Sequence, residues 1–123
     1  MNCTWLYTGA DDKSHLADLR IPAGAPGGAG ADPIPALSIW FTETAGGRVA
    51  GFHRPARRQF VIILSGIEEI ELADGTTRQF RAGDVLLADD TTGTGHITRD
   101  LEDCSRLFIA VPEDFDPNAW VAP

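Results

Sequence analysis

Glycine and proline break this chain every eight to twelve residues, and the runs between the breaks are short and rich in Val, Ile, Leu, Phe and Thr. No long stretch carries a clean helical period. Runs of that length between turn residues are what an all-β sandwich or barrel requires, because each strand must end before the chain can reverse. Ten candidate strands follow: Cys3–Tyr7, His15–Arg20, Ala36–Thr42, Val49–His53, Gln59–Ser65, Glu68–Leu72, Thr77–Arg81, Val85–Ala88, His96–Thr98 and Arg106–Val111.

The turns between them have their own chemistry. Ala73-Asp74-Gly75 is an Asp-Gly turn, where glycine tolerates positive φ. Ser65-Gly66 reads as a tight hairpin, and Ala82-Gly83-Asp84 turns the chain into the apolar run Val85–Ala88, with Asp84 serving the turn. Within Glu68–Leu72, Ile70 and Leu72 share one face while Glu69 and Glu71 share the other, as on a half-buried strand.

With 123 residues the chain has material for one core. The reading is a single domain over 1–123. It comprises N-terminal arm strands at 1–22, a flexible Ala/Gly/Pro loop at 23–35, a barrel at 36–111 and a tail at 112–123 that Trp120 pins to the body.

A net charge of −8 disfavours a nucleic-acid partner and an anionic membrane surface. The longest apolar runs, Phe60–Leu64 and Leu107–Val111, have five residues each, against the ~20 that span a bilayer. Cys3 and Cys104 lie far apart with no Cys-x-x-Cys spacing, so free thiols in a reducing compartment are expected. No basic segment followed by an apolar one opens the chain, and the expected location is the cytoplasm. Patterns for phosphate loops, dinucleotide binding, serine hydrolases and His-Glu-x-x-His metalloproteases are absent from the sequence.

The segment from Gly47 to Asp100 resembles the cupin superfamily. The first cupin motif runs Gly, His, His, Glu, Gly; at the matching intervals this chain has Gly47, His53, Pro55, Gln59 and Gly66. The second runs Gly, Pro, Gly, His, Asn, and here Gly83 opens it, followed by Thr91, Gly93, His96 and Asp100 after an opening interval two residues longer. Arg57–Phe60, Asp89–Gly93 and Gly95-His96 also look like a group of small, poorly characterised single-domain cupins. The resemblance implies a jelly-roll barrel with His53 and His96 facing each other across its pocket, and a homodimer.

Where the family binds metal, two histidines and a glutamate of the first motif and the histidine of the second hold it. Carried over, His53, Gln59 and His96 occupy ligand places, and Asp89 or Asp90 offers a further carboxylate. Gln59 supplies only a neutral amide oxygen, and Pro55 has no ligating side chain. Two readings stay open. In one, a divalent transition metal (Zn, Fe, Mn or Ni) sits on His53, Gln59 and His96 and acts as a Lewis acid or redox centre. In the other, the two imidazoles perform acid–base chemistry such as isomerisation, elimination or cyclisation without metal.

Gln59, Arg57 and Trp40 are the candidate substrate contacts, Arg57 because a guanidinium at a pocket mouth pairs well with a carboxylate. Arg54 and Arg58 are expected at a solvated strand edge, and His15 on an edge or interface strand. Thr91, Thr92 and Thr94 are expected to cap their own Gly-rich loop. The functional expectation is a small-molecule-binding cupin, an enzyme using His53 and His96, with a non-catalytic binding or sensing module as the alternative.

Overall fold

The computed structural model describes residues 1–24, 27–28 and 30–121. Ala25, Pro26 and Ala29 of the expected flexible loop, with Ala122 and Pro123 of the expected tail, lie outside the described residues.

Ten strands form: β1 Asn2–Thr8, β2 Ser14–Arg20, β3 Ser38–Thr44, β4 Val49–His53, β5 Gln59–Ser65, β6 Ile67–Glu71, β7 Thr77–Arg81, β8 Val85–Asp89, β9 His96–Asp100 and β10 Cys104–Ala110. Among the described residues one 3-10 turn forms, Pro117–Trp120, just before Val121. The range expected for β3 moves by two residues and that for β10 by two at its start and one at its end, while β9 runs two residues further than expected. β3 and β10 are bound to each other in register from Cys104↔Thr44 to Ala110↔Ser38, so their shared ladder, rather than local composition, fixes both ends.

The strands make a six-stranded sheet in the order β2-β1-β8-β5-β10-β3 and a four-stranded sheet in the order β4-β9-β6-β7. These are the two layers of a jelly roll. β1 runs parallel to β8 while pairing β2 on its other side, so the N-terminal strands extend the larger sheet. Ser65-Gly66 is not a hairpin: β5 lies in one sheet and β6 in the other, and the pair is a corner between layers. Glycine is needed there, because a Cβ on Gly66 would sit 2.2 Å from the Asp103 carbonyl oxygen. The Asp74-Gly75 turn does join a true hairpin, β6 to β7, with Thr76 N donating to Asp74 Oδ1 at 2.9 Å.

Alternation explains why β5 and β8 read as unbroken apolar runs. Val61, Ile63, Leu86 and Ala88 point between the sheets. Phe60 and Leu87 point the other way, into a second cluster completed by Trp120 of the tail. A fully buried Leu or Phe stabilises by about 1.5–3 kcal/mol, so covering the outer face as well as the inner one is worth several residues of core. Trp120 is 9% exposed, and Val121 bridges to Leu19 of β2, which fixes the tail to the larger sheet.

Candidate functional site

Between the two sheets lies a cavity of about 390 Å³. Its wall is graded along the barrel by strand register. At one end are His53, His96, Pro55 and Gln59; Ala50, Thr98, Ile70, Val61 and Phe108 line the middle; Arg48, Glu68, Arg106, Thr42 and Thr44 close the other end.

His53 and His96 do not face each other across the barrel. They are cross-strand neighbours on β4 and β9, in register His53↔His96, with ring centroids 4.5 Å apart and planes inclined by 57°. A β-bulge makes this pairing possible. Three steps on β4 from Ala50 to His53 match two on β9 from Thr98 to His96, so Gly51 and Phe52 together oppose Ile97. Three steps of regular strand would send His53 to the opposite face from Ala50, and the bulge returns it to the same face. Gly95 sets the approach of the two strands: its φ is +78°, and a Cβ there would lie 2.0 Å from the His53 carbonyl oxygen.

Each ring is held by an acceptor at Nδ1. His96 is buried, and its Nδ1 lies 2.6 Å from Oδ2 of Asp90, whose side chain is fully buried. The same carboxylate oxygen accepts from Ser14 Oγ at 2.6 Å. His53 Nδ1 lies 2.8 Å from the Gly51 carbonyl oxygen, which the bulge presents. A carboxylate and a carbonyl can only accept, so each Nδ1 carries its proton and each neutral ring keeps an unprotonated Nε2.

The other sequence candidates separate clearly. Gln59, half-buried at the start of β5, lines the cavity from the opposite sheet. Trp40 is half-buried on β3 and stacks on Phe108 at 5.1 Å and 4°; Phe108 lines the cavity and Trp40 backs it. Arg57 is exposed and is not among the lining residues. Arg58 is no solvated edge residue: its Nε binds Asp89 Oδ1 at 2.8 Å, and its Nη1 reaches the carbonyls of Glu113 and Phe115. Asp89 also takes the Trp5 indole at 3.0 Å, so of the two neighbouring aspartates only Asp90 serves the histidines. His15 pairs with Asp11 at 2.9 Å on the surface. Asp84 accepts from Arg81 N at 2.7 Å, as its turn role requires.

Sequence reasoning passed over the far end of the cavity. Arg106, with its side chain 4% exposed, binds Glu68 Oε1 at 3.0 Å, Thr44 Oγ1 at 2.8 Å, and Asp100. Burial pushes the Glu68 carboxyl above the ordinary carboxylate range, against the pull of the Arg106 guanidinium. The signal was parity: Glu68 shares the face of Ile70 and Leu72, and Arg106 that of Phe108.

The donor set does not fit a resident transition metal. Pro55 lines the cavity where the family's motif has a second histidine, and Gln59 stands where it has a glutamate. Among the described residues no three His, Cys, Asp or Glu side chains gather to hold an ion. Asp90 is committed to His96 and Ser14, and Glu68 to Arg106. Two imidazoles and an amide leave a divalent cation without an anionic ligand.

No family model matches the chain, and no curated protein does. Solved structures do. A conserved protein of unknown function from Streptococcus pyogenes superimposes with a TM-score of 0.51 at 22% identity, covering 70% of this chain and 72% of that one. A cupin 2 conserved barrel domain protein from Salinispora arenicola gives 0.51 at 19%, covering 77% and 82%. A Neisseria meningitidis protein gives 0.50 at 16%, covering 65% and 84%. Likeness at this identity is likeness of fold: the chain has the cupin fold, a single jelly-roll barrel. Among the described residues no helix is long and apolar enough to cross a membrane.

Proposed function

We propose that this protein binds a small organic molecule in the barrel and acts on it by metal-independent acid–base chemistry at His96 and His53. The Asp90–His96 hydrogen bond of 2.6 Å carries this reading. A buried carboxylate behind an imidazole fixes its tautomer and stabilises the imidazolium formed when Nε2 takes a proton. In an isomerisation, a substrate C–H proton passes to His96 Nε2 and its electron pair moves into the adjacent π system. A protonated His53 then returns a proton from its Nε2 to the new position. Proton exchange with water restores both rings. Gln59, from the opposite sheet, offers its amide N–H to the substrate oxygen on which charge develops.

The test is hydrogen exchange in deuterated water. Chelator-treated protein is incubated with a panel of small carbonyl compounds, and deuterium is sought at carbon by NMR. Exchange by the wild type, lowered at least 100-fold by His96→Ala and by Asp90→Asn, is expected. Ligand that binds yet is recovered without deuterium would make the barrel a binding or sensing module. Near-stoichiometric metal in untagged protein, lost on His96→Ala, would overturn the metal-independent reading.

Two further attributes belong to the same proposal. Cys3 and Cys104 are free and buried, and burial pushes the Cys3 thiol up to about 12, which suits a reducing, cytoplasmic setting. A homodimer, paired along edge strand β3, is the second.

A further inference from the structure

Two lining residues of the cavity are exposed, His53 and Arg48, and they stand at opposite ends of the same short strand. His53 closes β4, and Arg48 immediately precedes it. Arg48, Ala50 and His53 all reach the cavity because the bulge corrects the alternation after Ala50. At ~3.3 Å per residue the two Cα atoms lie roughly 13–16 Å apart along the strand, and the side chains shorten the gap between guanidinium and imidazole.

The guanidinium of Arg48 is poorly matched within the protein. Its one ion-pair contact among the described residues is Asp100 Oδ2 at 3.7 Å, beyond hydrogen-bonding distance. Asp100 is already bound through Oδ1 to Arg106, a guanidinium buried beside it. Glu68, the other acid of this cluster, directs Oε1 to the same Arg106. Both buried acids are therefore engaged by the Arg106 guanidinium. Arg48, half exposed at the cavity wall, is left without a hydrogen-bonded carboxylate among the described residues. A guanidinium offers a planar fork of donors that matches a carboxylate oxygen for oxygen.

We propose that Arg48 is the recognition residue of the cavity and that its ligand is a small organic carboxylate. The carboxylate binds the Arg48 fork, and an apolar stretch of the ligand passes Ala50, Thr98 and Phe108. That places the opposite end against His53 and His96. This deepens the small-molecule reading above and rests on it. It also assigns the task expected of Arg57 to a different arginine.

Matched probes test it: hexanoate, 1-hexanol and hexylammonium, titrated into ¹⁵N-labelled wild-type and Arg48→Gln protein and followed by amide shifts of Ala50 and Thr98. Arg48 is exposed, so the variant is expected to fold, and an unchanged spectrum elsewhere checks this. Hexanoate should bind at least tenfold more tightly than hexanol to the wild type, and Arg48→Gln should erase that advantage while leaving hexanol unchanged. Equal binding of hexanoate and hexanol, a preference for hexylammonium, or a preference for hexanoate that survives Arg48→Gln would overturn the proposal while leaving a ligand-binding cavity. No shift in the cavity with any probe would remove the small-molecule reading together with it.

Discussion

Asp90 places a whole negative charge at zero exposure and gives it one ring and one hydroxyl as partners. Its Oδ1 has no hydrogen-bond partner among the described residues. Such a residue is costly to keep for stability alone, since a buried charge must recover its lost hydration from few contacts. Glu68 is the other buried acid whose environment sets its chemistry. Below the ordinary carboxylate range both folded and unfolded chains hold its proton. As pH rises past 4.5 the unfolded chain releases it first, so the folded state is progressively weakened until the buried carboxyl ionises too. Glu68→Gln removes this slope. Urea midpoints measured from pH 4 to pH 8 should show the variant gaining on the wild type as pH rises; a difference constant with pH would refute the raised carboxyl.

These acids were half legible in the sequence. Asp90 was named beside Asp89 as a spare carboxylate, but only the fold tells them apart, since adjacent strand residues face opposite ways. Glu68 and Arg106 broke the apolar parity of their strands, and that break was the available signal. Arg48 gave none: it follows the Gly46-Gly47 turn and lies just outside the expected strand. The motif intervals single out two histidines that line one cavity but misplace them relative to each other, because intervals along the chain do not say which strands pair.

At the level of elements, β4 and β9 are the frame of the site. The strand list came through almost unchanged because Gly and Pro breaks report turns directly. The corner at Ser65-Gly66 was misread because a tight turn looks alike whether it closes a hairpin or crosses between sheets. The Gly93–Gly95 loop brings the start of β9 onto the end of β4. Gly95→Ala asks a side chain to occupy φ of +78° and to meet the His53 carbonyl at 2.0 Å. The expected cost is roughly 2–4 kcal/mol in chemical denaturation. A loss below about 0.5 kcal/mol would mean that the strands can part there freely.

Across the whole molecule, the larger sheet is covered unevenly. Trp120 and Phe115 shield one part of its outer face, while edge strand β3 leaves Ile39 and Phe41 at 58% and 69% exposure. That strand has no proline and no lysine to blunt its edge. A second copy pairing along β3 would cover both side chains and continue the sheet. Light scattering at micromolar concentration should give twice the chain mass for the wild type and a monomer for Phe41→Glu; a monomeric wild type would end this part of the proposal.

The bulge in β4 also has a genetic consequence. Substitutions at Gly51 or Phe52 leave the count of residues intact, and with it the direction in which the imidazole points. Loss of a single codon there would remove the bulge and leave a regular ladder, with Ala50 still against Thr98 and the histidine still against His96 on the cavity side. A lineage could therefore shorten this segment by one residue and keep its histidine in place, losing only the Gly51 carbonyl that meets Nδ1. In chains of this architecture, a change of one residue before that histidine is compatible with an inward imidazole.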